Sequence, residues 1–91
     1  MISLITEDFQ RLFADLPPPV QKQVRAAYKL FQTDPHHPSL RFKKLPPFDD
    51  VWSARIAGGY RAVGRWRGDV IVWFFVGSHT DYERVLSRLD P

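Results

Sequence analysis

The side chains able to do chemistry gather in the second half of the 91-residue chain. Between positions 41 and 67 stand Arg41, Lys43, Lys44, Arg55, Arg61, Arg65 and Arg67, opposed only by Asp49 and Asp50. Residues 1–40 are neutral by comparison, with Arg11, Lys22, Arg25 and Lys29 matched by Glu7, Asp8, Asp15 and Asp34. Such asymmetry suits an anionic partner, a nucleic acid first and an acidic protein segment second, or else a solvated basic face. His79 follows the most apolar stretch of the chain. A histidine near arginines can take a proton in one step and return it in the next, which is what general acid–base catalysis requires. His36 and His37 sit in a proline-flanked loop without metal-ligand company and read as surface residues. No cysteine is present, which excludes disulfides, cysteine-based zinc sites, iron–sulfur clusters and thiol nucleophiles. No Ser-His-Asp arrangement, phosphate-cradling glycine loop or active carboxylate pair is visible. Neither a metal nor a cofactor is expected.

The elements that must position these residues follow from hydrophobic periodicity. Phe9, Leu12, Phe13 and Leu16 recur at helical spacing after Thr6, a natural N-cap. Pro17-Pro18-Pro19 ends that helix and opens another, whose apolar face is Val20, Val24, Ala27, Leu30 and Phe31. Asp34-Pro35 and Pro38 stop it. The two form an antiparallel helical hairpin, with Ile2 to Ile5 as a short edge strand before it. From Leu40 the period becomes two. Leu40 to Leu45 is a short candidate strand, followed by Val51 to Ile56, Tyr60 to Trp66 and Val70 to Ser78. The last is apolar on both faces and belongs inside the sheet. Thr80-Asp81-Tyr82-Glu83 fits a capping box for a final helix, with Thr80 as the cap. The prediction is one α+β domain over residues 1–91: a helical hairpin on one face of a three- or four-stranded antiparallel sheet, then a short C-terminal helix. An apolar content of 44% excludes a disordered chain. No apolar run approaches the ~20 residues of a membrane span, and the N-terminus shows no signal-peptide pattern. A cytoplasmic protein is expected.

Three-residue loops at both hairpins would place Arg55 opposite Arg61 and Arg61 opposite Phe75. Ser53, Arg55, Arg61, Val63, Arg65, Trp73, Phe75, Gly77 and His79 then share one face. Trp52, Ala54, Ile56, Ala62, Trp66, Val72, Phe74 and Val76 share the other, which suits the helices. Trp52, Trp66 and Phe74 are expected in the core, while Trp73 stays open between core and RNA stacking. Two facing arginines at ~6 Å repel by about 2–3 kcal/mol at an effective dielectric of ~20. A phosphate between them reverses that sign, because each guanidinium can grip it bidentately. Splaying to solvent or an acidic partner segment would also relieve the pair.

An ordered set of pieces now stands out: Leu16-Pro17, Asp34-Pro-His-His-Pro-Ser-Leu40, Phe42-Lys-Lys-Leu45, Trp52-Ser-Ala-Arg-Ile56, Tyr60-Arg-Ala-Val63 and Val76-Gly-Ser-His-Thr-Asp-Tyr82-Glu83. In this order and spacing they resemble the RelE/ParE superfamily of type II toxin–antitoxin toxins, from about Thr6 to Leu89. The resemblance implies that family's fold, and for its RelE-like members the cutting of messenger RNA in the ribosomal A site. It places Lys43 and Lys44 where catalytic lysines occur, Arg61 at the phosphate-binding arginine, and Tyr82 near an aromatic that stacks on or orients the cut nucleotide. His79 falls where some members carry arginine and others histidine.

The expected activity is metal-independent RNA cleavage by attack of a ribose 2′-OH on the adjacent phosphorus. His79, Lys43 or Lys44 would act as base, and Arg55 and Arg61 would steady the phosphorane. Tyr82 would stack on a base or sugar, with Arg65 and Arg41 as further RNA contacts. Expected partners are the ribosome, messenger RNA and an acidic or amphipathic antitoxin that wraps the toxin, with no membrane. The alternatives are a ParE-like gyrase inhibitor and a non-catalytic antitoxin-binding relative.

Overall fold

The computed structural model describes residues 1–89. Strand β1 (Ile2–Ile5) leads into helices α1 (Glu7–Ala14) and α2 (Pro18–Thr33). A single 3-10 turn (Pro38–Leu40) precedes strands β2 (Lys43–Lys44), β3 (Val51–Ala57), β4 (Tyr60–Arg67) and β5 (Val70–Ser78), and helix α3 (His79–Arg88) follows. The five strands form one sheet in the order β1-β5-β4-β3-β2. All neighbours are antiparallel except β1, which runs parallel to β5. The architecture is the expected α+β one, but the sheet has five strands rather than three or four antiparallel ones, because the edge strand expected at Ile2–Ile5 joins it parallel to β5 and leaves β5 interior. The candidate strand Leu40 to Leu45 contracts to two residues, since the proline at 38 starts a turn instead.

The early helices start as their sequence dictates. Thr6 Oγ1 accepts from the Phe9 backbone N–H at 3.1 Å, satisfying an otherwise unpaired donor. Pro18 and Pro19 occupy the first turn of α2, where a missing N–H costs nothing. Phe9, Val20, Val24, Ala27 and Phe31 from the helices pack on Ala54, Ala62, Ile71, Trp73 and Val76 of the sheet.

Both hairpin loops are shorter than expected. Ala57 pairs with Tyr60 across Gly58-Gly59, and Arg67 pairs with Val70 across Gly68-Asp69. Gly68 takes φ +61°, the left-handed conformation glycine adopts freely. A two-residue turn alone would drive arginines into the core, because a one-residue slip exchanges the faces of a strand. A bulge in each ladder prevents this. Ile56 is skipped between Arg55 and Ala57, and Phe74 between Trp73 and Phe75. Each extra residue restores the face sorting beyond it. The Arg55–Arg61 pairing therefore stands, but Arg61 faces Gly77, not Phe75. On the turn side of the second bulge, Trp73 moves to the helix-packed face, and Val72, which pairs with Arg65, moves off it. Phe74 likewise joins the arginine face, where the Arg65 guanidinium lies 5.9 Å from its ring centre.

The opposite face is not bare. Tyr82, Val85, Leu86 and Leu89 from α3 and its end pack with Val51, Val63 and Phe75, and Leu45 and Phe48 close the same cluster from the loop before β3. The helices thus lie on both faces rather than one. Ser78 caps α3, its Oγ accepting from the Asp81 N–H at 3.3 Å. The helix begins two residues earlier than a Thr80 cap would allow, because Ser78 is the last residue paired in the sheet.

Candidate nucleic-acid interface

The arginine face is partly roofed by α3 and by the Leu45–Phe48 segment, and cations remain at its β3–β4 turn end. Arg55 and Arg61 are directly paired across the ladder and both half-buried. Among the described residues no carboxylate lies within ion-pair distance of either. The Arg61 guanidinium carbon sits 5.5 Å from the Tyr82 ring centre, a cation–π contact that holds it over the sheet. Tyr82 is itself buried and anchored in the α3 cluster. On Tyr82 rests His79, its ring centre 5.8 Å away and inclined by 29°. His79 is the first residue of α3 rather than the last of β5, and it is exposed. One buried aromatic ring thereby gathers Arg61 from β4 and His79 from the helix start.

The other expected cations are placed differently. Lys43 pairs with Ser53 and shares the arginine face, whereas Lys44 pairs with Trp52 and belongs to the other face. Adjacent strand residues point opposite ways, so the two lysines do not act at one point. Arg65 donates to both Asp50 carboxylate oxygens, at 3.1 and 3.3 Å, and Arg67 reaches the same carboxylate at 2.6 Å. These contacts, the Arg67 hydrogen bond foremost, hold the Asp50 carboxyl below the usual carboxylate range against the opposing effect of burial. Arg65 is committed to that ion pair. Arg41 lies on the loop after the 3-10 turn with φ 44° and an exposed side chain.

Three residues near this cluster carry roles not foreseen from sequence. Glu83 Oε1 lies 2.9 Å from His79 Nε2, although capping chemistry had claimed it. The spacing of four between His79 and Glu83 was the available signal. Gly77 faces Arg61, and a Cβ there would come within 2.9 Å of the Phe75 ring. Asp50 takes the half-buried Arg65 and the exposed Arg67 as ion-pair partners. Elsewhere, His37 Nδ1 accepts from the Ser39 N–H at 3.2 Å, capping the 3-10 turn. No group of three or more His, Asp or Glu side chains able to hold a metal occurs among the described residues, and no described helix is long and apolar enough to cross a membrane.

The family model of the ParE-like toxin domain matches residues 18–84, from the start of α2 into α3. The chain belongs to that family. This ParE-like domain shares its fold with a chain of the RelB–RelE antitoxin–toxin complex of Methanococcus jannaschii, at TM-score 0.74 and 18% identity, over 90% of this chain and 96% of the other. A mutant of Escherichia coli RelE in the free state gives TM-score 0.68 at 18% identity, over 98% and 97%. The YoeB/ParE toxin of Agrobacterium tumefaciens gives 0.69 at 15%, over 87% and 99%. No curated protein matches the chain in sequence. The domain is a member of the RelE/ParE toxin superfamily.

Proposed function

We propose that this domain is the toxin of a type II toxin–antitoxin system and cuts messenger RNA on the ribosome. The observation that carries this reading is the Arg55–Arg61 pair, left without a carboxylate and tied through Tyr82 to His79. A phosphodiester seated on the two guanidiniums turns their mutual repulsion into attraction. His79 takes the proton of the ribose 2′-OH, the 2′-oxygen forms a bond to phosphorus, and the bond from phosphorus to the 5′-oxygen breaks. The departing 5′-oxygen takes a proton from the Lys43 ammonium. Arg55 and Arg61 hold the extra charge of the phosphorane, the interaction that strengthens toward the transition state. The products are a 2′,3′-cyclic phosphate and a free 5′-OH.

Tyr82 acts here from beneath, by orienting Arg61 and His79, because its ring is buried. The proposed partner is a cognate antitoxin. A groove of about 630 Å³ between β1, α1 and α2, lined by Ile5, Phe9, Phe13, Val24 and Tyr28 beside Arg25 and Lys29, suits an amphipathic segment with acidic flanks.

Programmed ribosomes supplied with the purified domain test the reading. Messenger cleavage with cyclic-phosphate ends, reduced at least ~100-fold in Arg61→Ala, supports it; intact messenger contradicts it. The ParE-like description of the matching family favours one second reading, inhibition of DNA gyrase through protein contacts. That reading predicts loss of supercoiling in a gyrase assay with messenger left whole.

A further inference from the structure

The two nitrogens of His79 stand in different situations. Nε2 is engaged by Glu83 Oε1 at 2.9 Å, and the ring lies against Tyr82. Among the described residues the Glu83 carboxylate thus acts on Nε2 as a close charge rather than as an aligned hydrogen-bond acceptor, and no ion pair engages Nδ1. The charged or titratable groups around the ring are Glu83 and Tyr82 on α3, and Arg61 across the Tyr82 ring from β4. A carboxylate oxygen at 2.9 Å repels a nitrogen lone pair and attracts an N–H, so a neutral imidazole in this place carries its hydrogen on Nε2. Its lone pair is then on Nδ1. A carboxylate partner of this kind selects the tautomer and fixes the ring, as in histidines that serve as bases or metal ligands.

We propose that Glu83 is a positioning residue for His79 and that Nδ1 is the nitrogen that takes the 2′-OH proton. The inference rests on the RNA-cleavage reading and extends it to a residue and an atom. On proton transfer the imidazolium carries hydrogen on both nitrogens: the new one on Nδ1 from the ribose, the old one on Nε2 still beside the Glu83 carboxylate. The carboxylate remains ionised throughout and offsets the charge that appears on the ring.

The test pairs ring-nitrogen NMR of protein labelled with ¹⁵N-histidine with cleavage on programmed ribosomes, for wild type, Glu83→Ala and Glu83→Gln. Glu83 is exposed, so neither substitution disturbs the core. Wild type shows His79 as one neutral tautomer with hydrogen on Nε2, and Glu83→Ala shows a mixture. Cleavage falls about 10- to 100-fold in Glu83→Ala, the usual cost of losing an orienting partner. Glu83→Gln, which keeps a carbonyl acceptor, recovers both the single tautomer and most of the rate. A wild-type ring protonated on Nδ1, or Glu83→Ala cutting at the wild-type rate while His79→Ala does not, overturns the assignment. A wild type that shows the Nε2 tautomer but cuts no RNA contradicts the cleavage reading itself.

Discussion

At the scale of single residues, Asp50 divides the basic side chains into two classes. Its carboxylate holds Arg65 and Arg67, which leaves Arg55, Arg61 and Lys43 as the cations of that face without a carboxylate partner among the described residues. Because Asp50 is held below its ordinary range by the Arg67 hydrogen bond and the Arg65 charge, its ionised form stabilises the fold. That contribution is complete above the unfolded carboxyl's value of about 3.9 and disappears as pH falls through the lower folded value. Asp50→Asn should therefore cost about 0.5–1 kcal/mol at pH 7. Thermal melts from pH 7 down to pH 2 should show the wild-type advantage shrinking toward zero at the acid end. Ser53 gives a prediction of opposite sign. It is fully buried and its hydroxyl finds no partner among the described residues, and an unsatisfied buried hydroxyl costs about 1–3 kcal/mol. Ser53→Ala should leave stability unchanged or raise it by about 1 kcal/mol, measured by urea titration.

At the scale of elements, the strand junctions decide where the functional residues stand. Gly77 lacks the Cβ that would strike the Phe75 ring at 2.9 Å, so β5 can turn into α3 while Phe75 fills the core behind Arg61. Gly77→Ala should destabilise by about 1–3 kcal/mol through overpacking and should weaken cleavage along with stability, since Phe75 packs with Tyr82. Ser78→Ala should cost about 1 kcal/mol as the loss of a helix cap, and Thr80→Ala much less. Paired melts check both. The same junctions mark how far the sequence could be read. Thr6 and the triple proline announced α1 and α2 because caps and helix breakers act locally. The Arg55–Arg61 pairing was legible because face sorting demands it. Phe74 was misplaced because a bulge is a compensation between a turn and a distant ladder, and VIVWFFVGS is apolar whichever way it faces. Ser78 and Thr80 are equally good caps in isolation, and only the end of the β4–β5 ladder selects between them. Arg65 looked like its neighbours because its partner Asp50 lies fifteen positions away.

At the scale of the whole molecule, the fold separates two kinds of surface. The helices and β1 present an apolar groove flanked by Arg25 and Lys29, while the opposite sheet face presents the arginine pair at the start of α3. Expression in a bacterial host, with RNA 5′ ends mapped across the transcriptome for the wild type and for His79→Ala, tests the central claim most directly. Growth arrest with new ends inside translated frames, absent in His79→Ala, is the predicted result. Arrest with messages intact would contradict the account and move the target away from RNA.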